Sequence, residues 1–168
     1  LASDVFQGGD ASRGLLIGVR GVGTGLGPLI AMRYTRGQLG KVLTICGFAS
    51  LAFSGFYLVG AWMPTLWLTA IFVMLAHLGG GAQWTLSSYG LQLRSPDHIR
   101  GRILAGDFAL VTLMLSFTSA LAGLVSELFG VRQAISGFAC AAAIASVIYI
   151  RATQRLRTQL QLQPDAEL

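Results

Sequence analysis

Residues 103–125 read ILAGDFALVTLMLSFTSALAGLV. Over these 23 positions the only ionisable side chain is that of Asp107. At about 1.5 Å per residue, a helix of this length crosses a hydrocarbon core of about 30 Å. A membrane-barrel strand is about ten residues long and alternates polar with apolar positions. This run is longer than that and does not alternate. Backbone N–H and C=O groups in lipid must be satisfied within the segment, so the stretch is a membrane-spanning helix.

Four more runs of this kind occur outward from it, at residues 14–32, 42–61, 66–88 and 131–150. The expected fold is therefore an all-α polytopic membrane protein of five spans. Residues 1–152 form one transmembrane domain and residues 153–168 a polar tail, expected to be a frayed helix in water. The connections are short. Arg33 to Lys41 joins spans one and two, Met63-Pro64-Thr65 separates two from three, and Arg94 to Arg102 joins three and four.

Composition agrees. Of 168 residues, 54% are hydrophobic and 11% charged, with mean hydropathy +0.65. Soluble domains carry about 25% charged residues. The net charge is +5, but the basic residues sit in short clusters between apolar runs. That distribution suits a membrane protein and not a nucleic-acid surface. Cys46 and Cys140 have no metal-type spacing and read as small hydrophobes. No metal site, cofactor or nucleophile–base pair is expected. No signal peptide is visible, and Leu1 is expected to continue from earlier spans.

The basic residues also orient the chain. Arg33, Arg36, Lys41, Arg94, Arg100, Arg102, Arg151, Arg155 and Arg157 all fall on one side when five spans alternate. Only Arg13 and Arg132 fall on the other. The positive-inside bias places the C terminus in the cytoplasm. Trp62 and Trp67 bracket a membrane edge as interfacial anchors, and Glu127 belongs at the outer surface.

Ionisable groups in lipid face protein or water. Span one has Arg20, span three His77 followed by Gln83 and Trp84, and span four Asp107. Spans one, three and four should therefore line an interior, with two and five outside. Helical spacing puts Arg13, Arg20, Thr24 and Gly27 on one face, and His77, Gly80 or Gly81, Trp84 and Ser88 on another. Arg20, Thr24, His77, Gln83 and Trp84 are the candidate substrate or proton pathway. Each has a plainer reading: Arg20 snorkelling outward, His77 hydrogen-bonded to a neighbouring helix. Asp107 near the start of span four, beside Arg100 and Arg102, suggests a cytoplasmic gate or a helix cap. The many glycines, among them Gly14, Gly18, Gly21, Gly23, Gly25, Gly27 and Gly79 to Gly81, imply closely packed helices. They fit no phosphate-binding pattern.

The run Gly14-Leu15-Leu16, Arg20-Gly21-Val22-Gly23, Gly27-Pro28-Leu29 resembles the eighth helix of bacterial major facilitator superfamily transporters. Within that superfamily the drug and siderophore exporters are most similar. Gln92, Pro96, Arg100-Gly101-Arg102 and Asp107-Phe108-Ala109-Leu110 resemble their junction of helices ten and eleven. The resemblance covers nearly the whole chain, as helices eight to twelve of twelve, with Leu1 to Phe6 ending helix seven. The family's acidic loop signature is degenerate here, since no acidic residue lies between Gly27 and Lys41. The resemblance implies most of the C-terminal half of a secondary transporter in a bacterial inner membrane. It implies export of a small molecule by alternating access, together with a missing N-terminal half. The alternative is a non-transporting membrane subunit of a larger complex.

Overall fold

The computed structural model describes Phe6, residues 9–35 and residues 37–162. The expected helix end at residues 1–5, Arg36 of the basic loop and the tail beyond Leu162 lie outside them. Six helices follow in order: α1 (Asp10–Thr35), α2 (Leu39–Gly60), α3 (Leu66–Arg94), α4 (Arg100–Phe129), α5 (Val131–Ala152) and α6 (Gln154–Leu162). The described residues contain no strand. The first five are long and apolar enough to cross a membrane. Most extend a turn or so past the apolar runs read from the sequence, because helical hydrogen bonding continues into the interface after hydropathy falls.

The ends have local causes. Gly37 at φ 78° turns the chain between α1 and α2, and Gly130 at φ 90° turns it between α4 and α5. That backbone region suits glycine, which has no Cβ to clash. The Thr65 side chain caps α3 by accepting from the Leu68 N–H at 3.4 Å.

The spanning helices pack in the order α1, α3, α2, α5, α4, and α6 lies along α2. α1 runs parallel to α3, while α2 is antiparallel to both α3 and α5. All the helix ends carrying Arg33, Lys41, Arg94, Arg100, Arg102 and Arg151 thus lie at one end of the bundle, called here the basic end. Small residues make the contacts. A Cβ at Gly27 would fall 2.9 Å from the Leu78 carbonyl carbon, and one at Gly80 would fall 2.8 Å from the Phe53 ring. At Gly47 it would fall 2.7 Å from Ile150. In lipid, close approach of this kind replaces the hydrophobic effect in holding helices together.

Two features of the packing were not read from the sequence. α2 lies between α3 and α5 and holds seven buried residues, Val42, Cys46 and Ser54 among them. α4 packs mainly along α5 and has no buried residue, so its polar face stays open. Glycine, alanine and serine on α2, α3 and α5 permit the close contacts. The tail also differs from a frayed helix in water. α6 prolongs α5 past Thr153, and its Leu160 packs on the cluster of Ala31, Leu39, Val42, Cys46, Ala82 and Leu86.

Candidate functional site

A close helix crossing forms where α1 meets α3. Pro28 of α1 has no N–H to donate to the Thr24 carbonyl, one turn earlier. Gly81 of α3 comes against that carbonyl, and a Cβ there would lie 2.8 Å from the Thr24 Cα. The Thr24 hydroxyl donates back to the Arg20 carbonyl at 2.9 Å. Thr24 and Arg20 are exposed.

His77 is 7% exposed. Its Nδ1 donates to the Val73 carbonyl of its own helix at 2.9 Å. A carbonyl only accepts, so the neutral ring keeps its hydrogen on Nδ1 and presents Nε2 as an acceptor. The neighbours are rings of α2: Phe53 and Tyr57 each stand edge-on to His77, with centroids 5.6 Å away. A Cβ at Gly23 of α1 would lie 2.9 Å from the His77 Cβ. The structure therefore brings the stretch of α1 that bears Arg20 and Thr24 beside His77, and adds Tyr57 and Phe53. Sequence reading missed these two because the apolar run of span two, residues 42–61, carries no strongly ionisable group. The aromatic residues one turn apart on a glycine-bearing helix were the available signal. His77 bonds to its own helix, not to a neighbouring one.

Gln83 and Trp84 lie apart from this cluster. Trp84 is 51% exposed. The Gln83 backbone carbonyl accepts from the Cys46 thiol at 3.8 Å.

Two cavities flank the α2–α5 contact. One of about 710 Å³ lies toward the end opposite the basic one, between α2, α4 and α5, and includes Phe53, Tyr57, Thr118, Ser126 and Phe138. The second, also about 710 Å³, lies toward the basic end and includes Ser50, Gln83, Arg94, Asp107, Ser146 and Tyr149. Both are of small-molecule size. Between them Ser146 donates to Ser50 at 2.9 Å across the α2–α5 contact. The Ser146 Oγ also lies 2.7 Å from the Ala142 carbonyl.

The gate residues are placed differently from expectation. Asp107 is seven residues into α4, two turns past Arg100, beyond the reach of a helix-end field. It therefore cannot act as the helix cap. Arg100 pairs with Asp97 at 2.5 Å and donates to the Ser95 carbonyl at 3.2 Å. Arg102 is exposed. Asp107 has no ion-pair partner among the described residues, and it shares the second cavity with Arg94. At the opposite end Trp62 does more than anchor. Its indole N–H donates to Ser136 at 2.8 Å, and the Arg132 guanidinium sits 5.9 Å from its ring centre. This clasp ties the end of α2 to α5.

No group of three or more potential metal ligands occurs among the described residues. A family model described as transmembrane secretion effector matches residues 1–167. No curated protein and no solved structure matches the chain.

Proposed function

This chain belongs to the transmembrane secretion effector family of the major facilitator superfamily, and from that premise we propose that it serves an exporter that moves a small molecule by alternating access. Membership makes it a multi-pass transporter component of the major facilitator kind, and it points away from catalysis. The observation that supports the transport reading is the family match over residues 1–167 on a chain with five membrane-length helices. Alternating access exposes one site near the midplane to either side in turn.

In this reading Arg20 faces an anionic or strongly polar group of the cargo. A guanidinium keeps its charge, so it must find an anion, carbonyls or water within the membrane. Thr24 extends the same face. Gln83 and Trp84 lie nearer the basic end and serve the earlier part of the path, where exported cargo enters. Asp107, Arg100 and Arg102 form the gate at the basic end, with Arg94 the cation that shares the Asp107 cavity. The exposed polar side chains of α4, Asp107, Thr112, Ser116 and Thr118, suit helices of an N-terminal half better than lipid. The reading of a non-transporting subunit has no observation of its own in its favour.

The test is flux in proteoliposomes. The full reading frame should move a fluorescent amphipathic anion down an imposed ion gradient. Absence of flux for a panel of anionic, neutral and cationic probes would remove the proposal. Within that assay Asp107→Asn should shift the balance between inward- and outward-facing states about five- to 150-fold, the range of typical coupling energies. Spin-label distances between the basic ends of the two halves report the shift. Unchanged distances would exclude the gate role.

Orientation has its own expected result. The basic end should face the cytoplasm of a bacterial inner membrane, with Asp10 and Pro64 outside. A single cysteine at Asp10 should react with an impermeant thiol reagent on intact cells, and one at Gln38 should not. Labelling of Gln38 from outside would reverse the topology.

A further inference from the structure

Where the apolar run of α5 ends, the chain continues into α6 with its hydrogen bonding almost unbroken. The Thr153 N–H donates to the Tyr149 carbonyl at 2.9 Å, and the Arg157 N–H donates to the Thr153 carbonyl at 2.9 Å. Leu160 holds α6 against the start of α2, and Leu156 reaches the cavity at the basic end. With those two leucines turned toward the bundle, the opposite face of α6 is set by spacing. Arg151, Gln154, Arg155, Thr158 and Gln159 recur at three- and four-residue intervals and are all exposed. They line one shallow groove of about 500 Å³.

A second recess of about 380 Å³ lies on the other flank of the same residues, lined by Thr44, Ile150, Gln154, Arg157 and Thr158. The Arg157 guanidinium already donates to the Ile150 carbonyl at 2.7 Å. It is committed to closing the end of α5, whereas no ion pair holds Arg151 or Arg155 among the described residues. Residues 151–162 contain three arginines and no acidic side chain, the nearest downstream acids being Asp165 and Glu167.

We propose that the Arg151–Arg155 stripe of α5 and α6 binds the phosphate of an anionic phospholipid in the leaflet at the basic end of the bundle. Depth selects the ligand. Arg151 follows directly on the membrane run that ends at Ile150, which puts its guanidinium at headgroup level. Two guanidiniums one turn apart offer paired N–H donors to a phosphodiester. The Thr158 hydroxyl and the Gln154 and Gln159 amides supply neutral donors to its remaining oxygens or to a glycerol headgroup. The anionic headgroup layer attracts such juxtamembrane arginines. The site is independent of what the transporter carries.

The test uses the full-length protein in bilayers of phosphatidylcholine doped with spin-labelled phosphatidylglycerol or spin-labelled phosphatidylcholine. The wild type should prefer the glycerol lipid. Arg151→Gln/Arg155→Gln should reduce that preference about tenfold or more, from about fivefold per arginine. Arg151→Lys/Arg155→Lys should retain most of it. These side chains are exposed, so melting in lipid-free detergent should not change. An unaltered lipid preference in the double glutamine variant would overturn the proposal. So would displacement of the lipid by millimolar inorganic phosphate, which would make this a free-anion site. A melting change with unaltered preference would likewise assign the stripe to holding α6 in place.

Discussion

Arg20→Gln should abolish transport by the full-length protein while leaving its membrane insertion and abundance intact, and Arg20→Lys should keep part of the activity. The lysine retains the charge but loses the planar fork of donors. The expected loss for glutamine is about two orders of magnitude or more, since removing one partner of a desolvated charge interaction costs about 2–5 kcal/mol. Three features support a working role over a packing one. Arg20 is exposed, so no packed core depends on it. The stretch of α1 that bears it passes beside His77, where a Cβ at Gly23 would lie 2.9 Å from the His77 Cβ. The Arg20 backbone carbonyl is held by Thr24, which fixes the turn from which the side chain projects. Initial rates in proteoliposomes, normalised to protein recovered in the membrane, provide the measurement. Full transport by Arg20→Gln would leave Arg20 as a snorkelling residue that holds α1 at its depth.

A second large effect is expected at the α1–α3 crossing. Gly81→Leu should lower the melting midpoint in detergent by about 5–10 °C or prevent accumulation of the protein. Overpacking a close contact costs about 1–3 kcal/mol when neighbours can adjust. Here they cannot adjust easily, because the atoms facing Gly81 are backbone atoms of Thr24 on the helix that also carries Pro28. Leucine at 81 has to push the two helices apart, which also displaces Arg20 relative to His77. Gly25→Leu is the matched control. A Cβ there meets nothing within 4 Å, so its melting midpoint should stay within about 2 °C of wild type, as for ordinary surface substitutions. Equal melting of the two variants would show that the small-residue contact does not hold this crossing.

Both results bear on the same division of labour. Arg20 supplies charge within the membrane, and the glycines determine what that charge can reach. In a soluble protein, apolar burial would dominate such an arrangement. In lipid the outward faces are also apolar, so contact distance and a few hydrogen bonds decide it. The Ser50–Ser146 bond is one of these, and the Trp62–Ser136 bond is another.

The sequence by itself determined the helical class, the five spans and the common side of the basic residues. Each follows from a sum along the chain: about 20 apolar residues cross the core, and arginines gather at alternate ends. The 23-residue run from Ile103 to Val125 was sufficient evidence for its own helix. The same sums could not say which helices touch. They did not show that α2 lies between α3 and α5, or that α4 packs mainly along α5. Nor could they find Tyr57 beside His77 or dock Leu160 on the start of α2. Those are relations between residues far apart in the chain. They depend on small side chains of two helices coinciding at one height and one rotation, which only the tertiary structure decided.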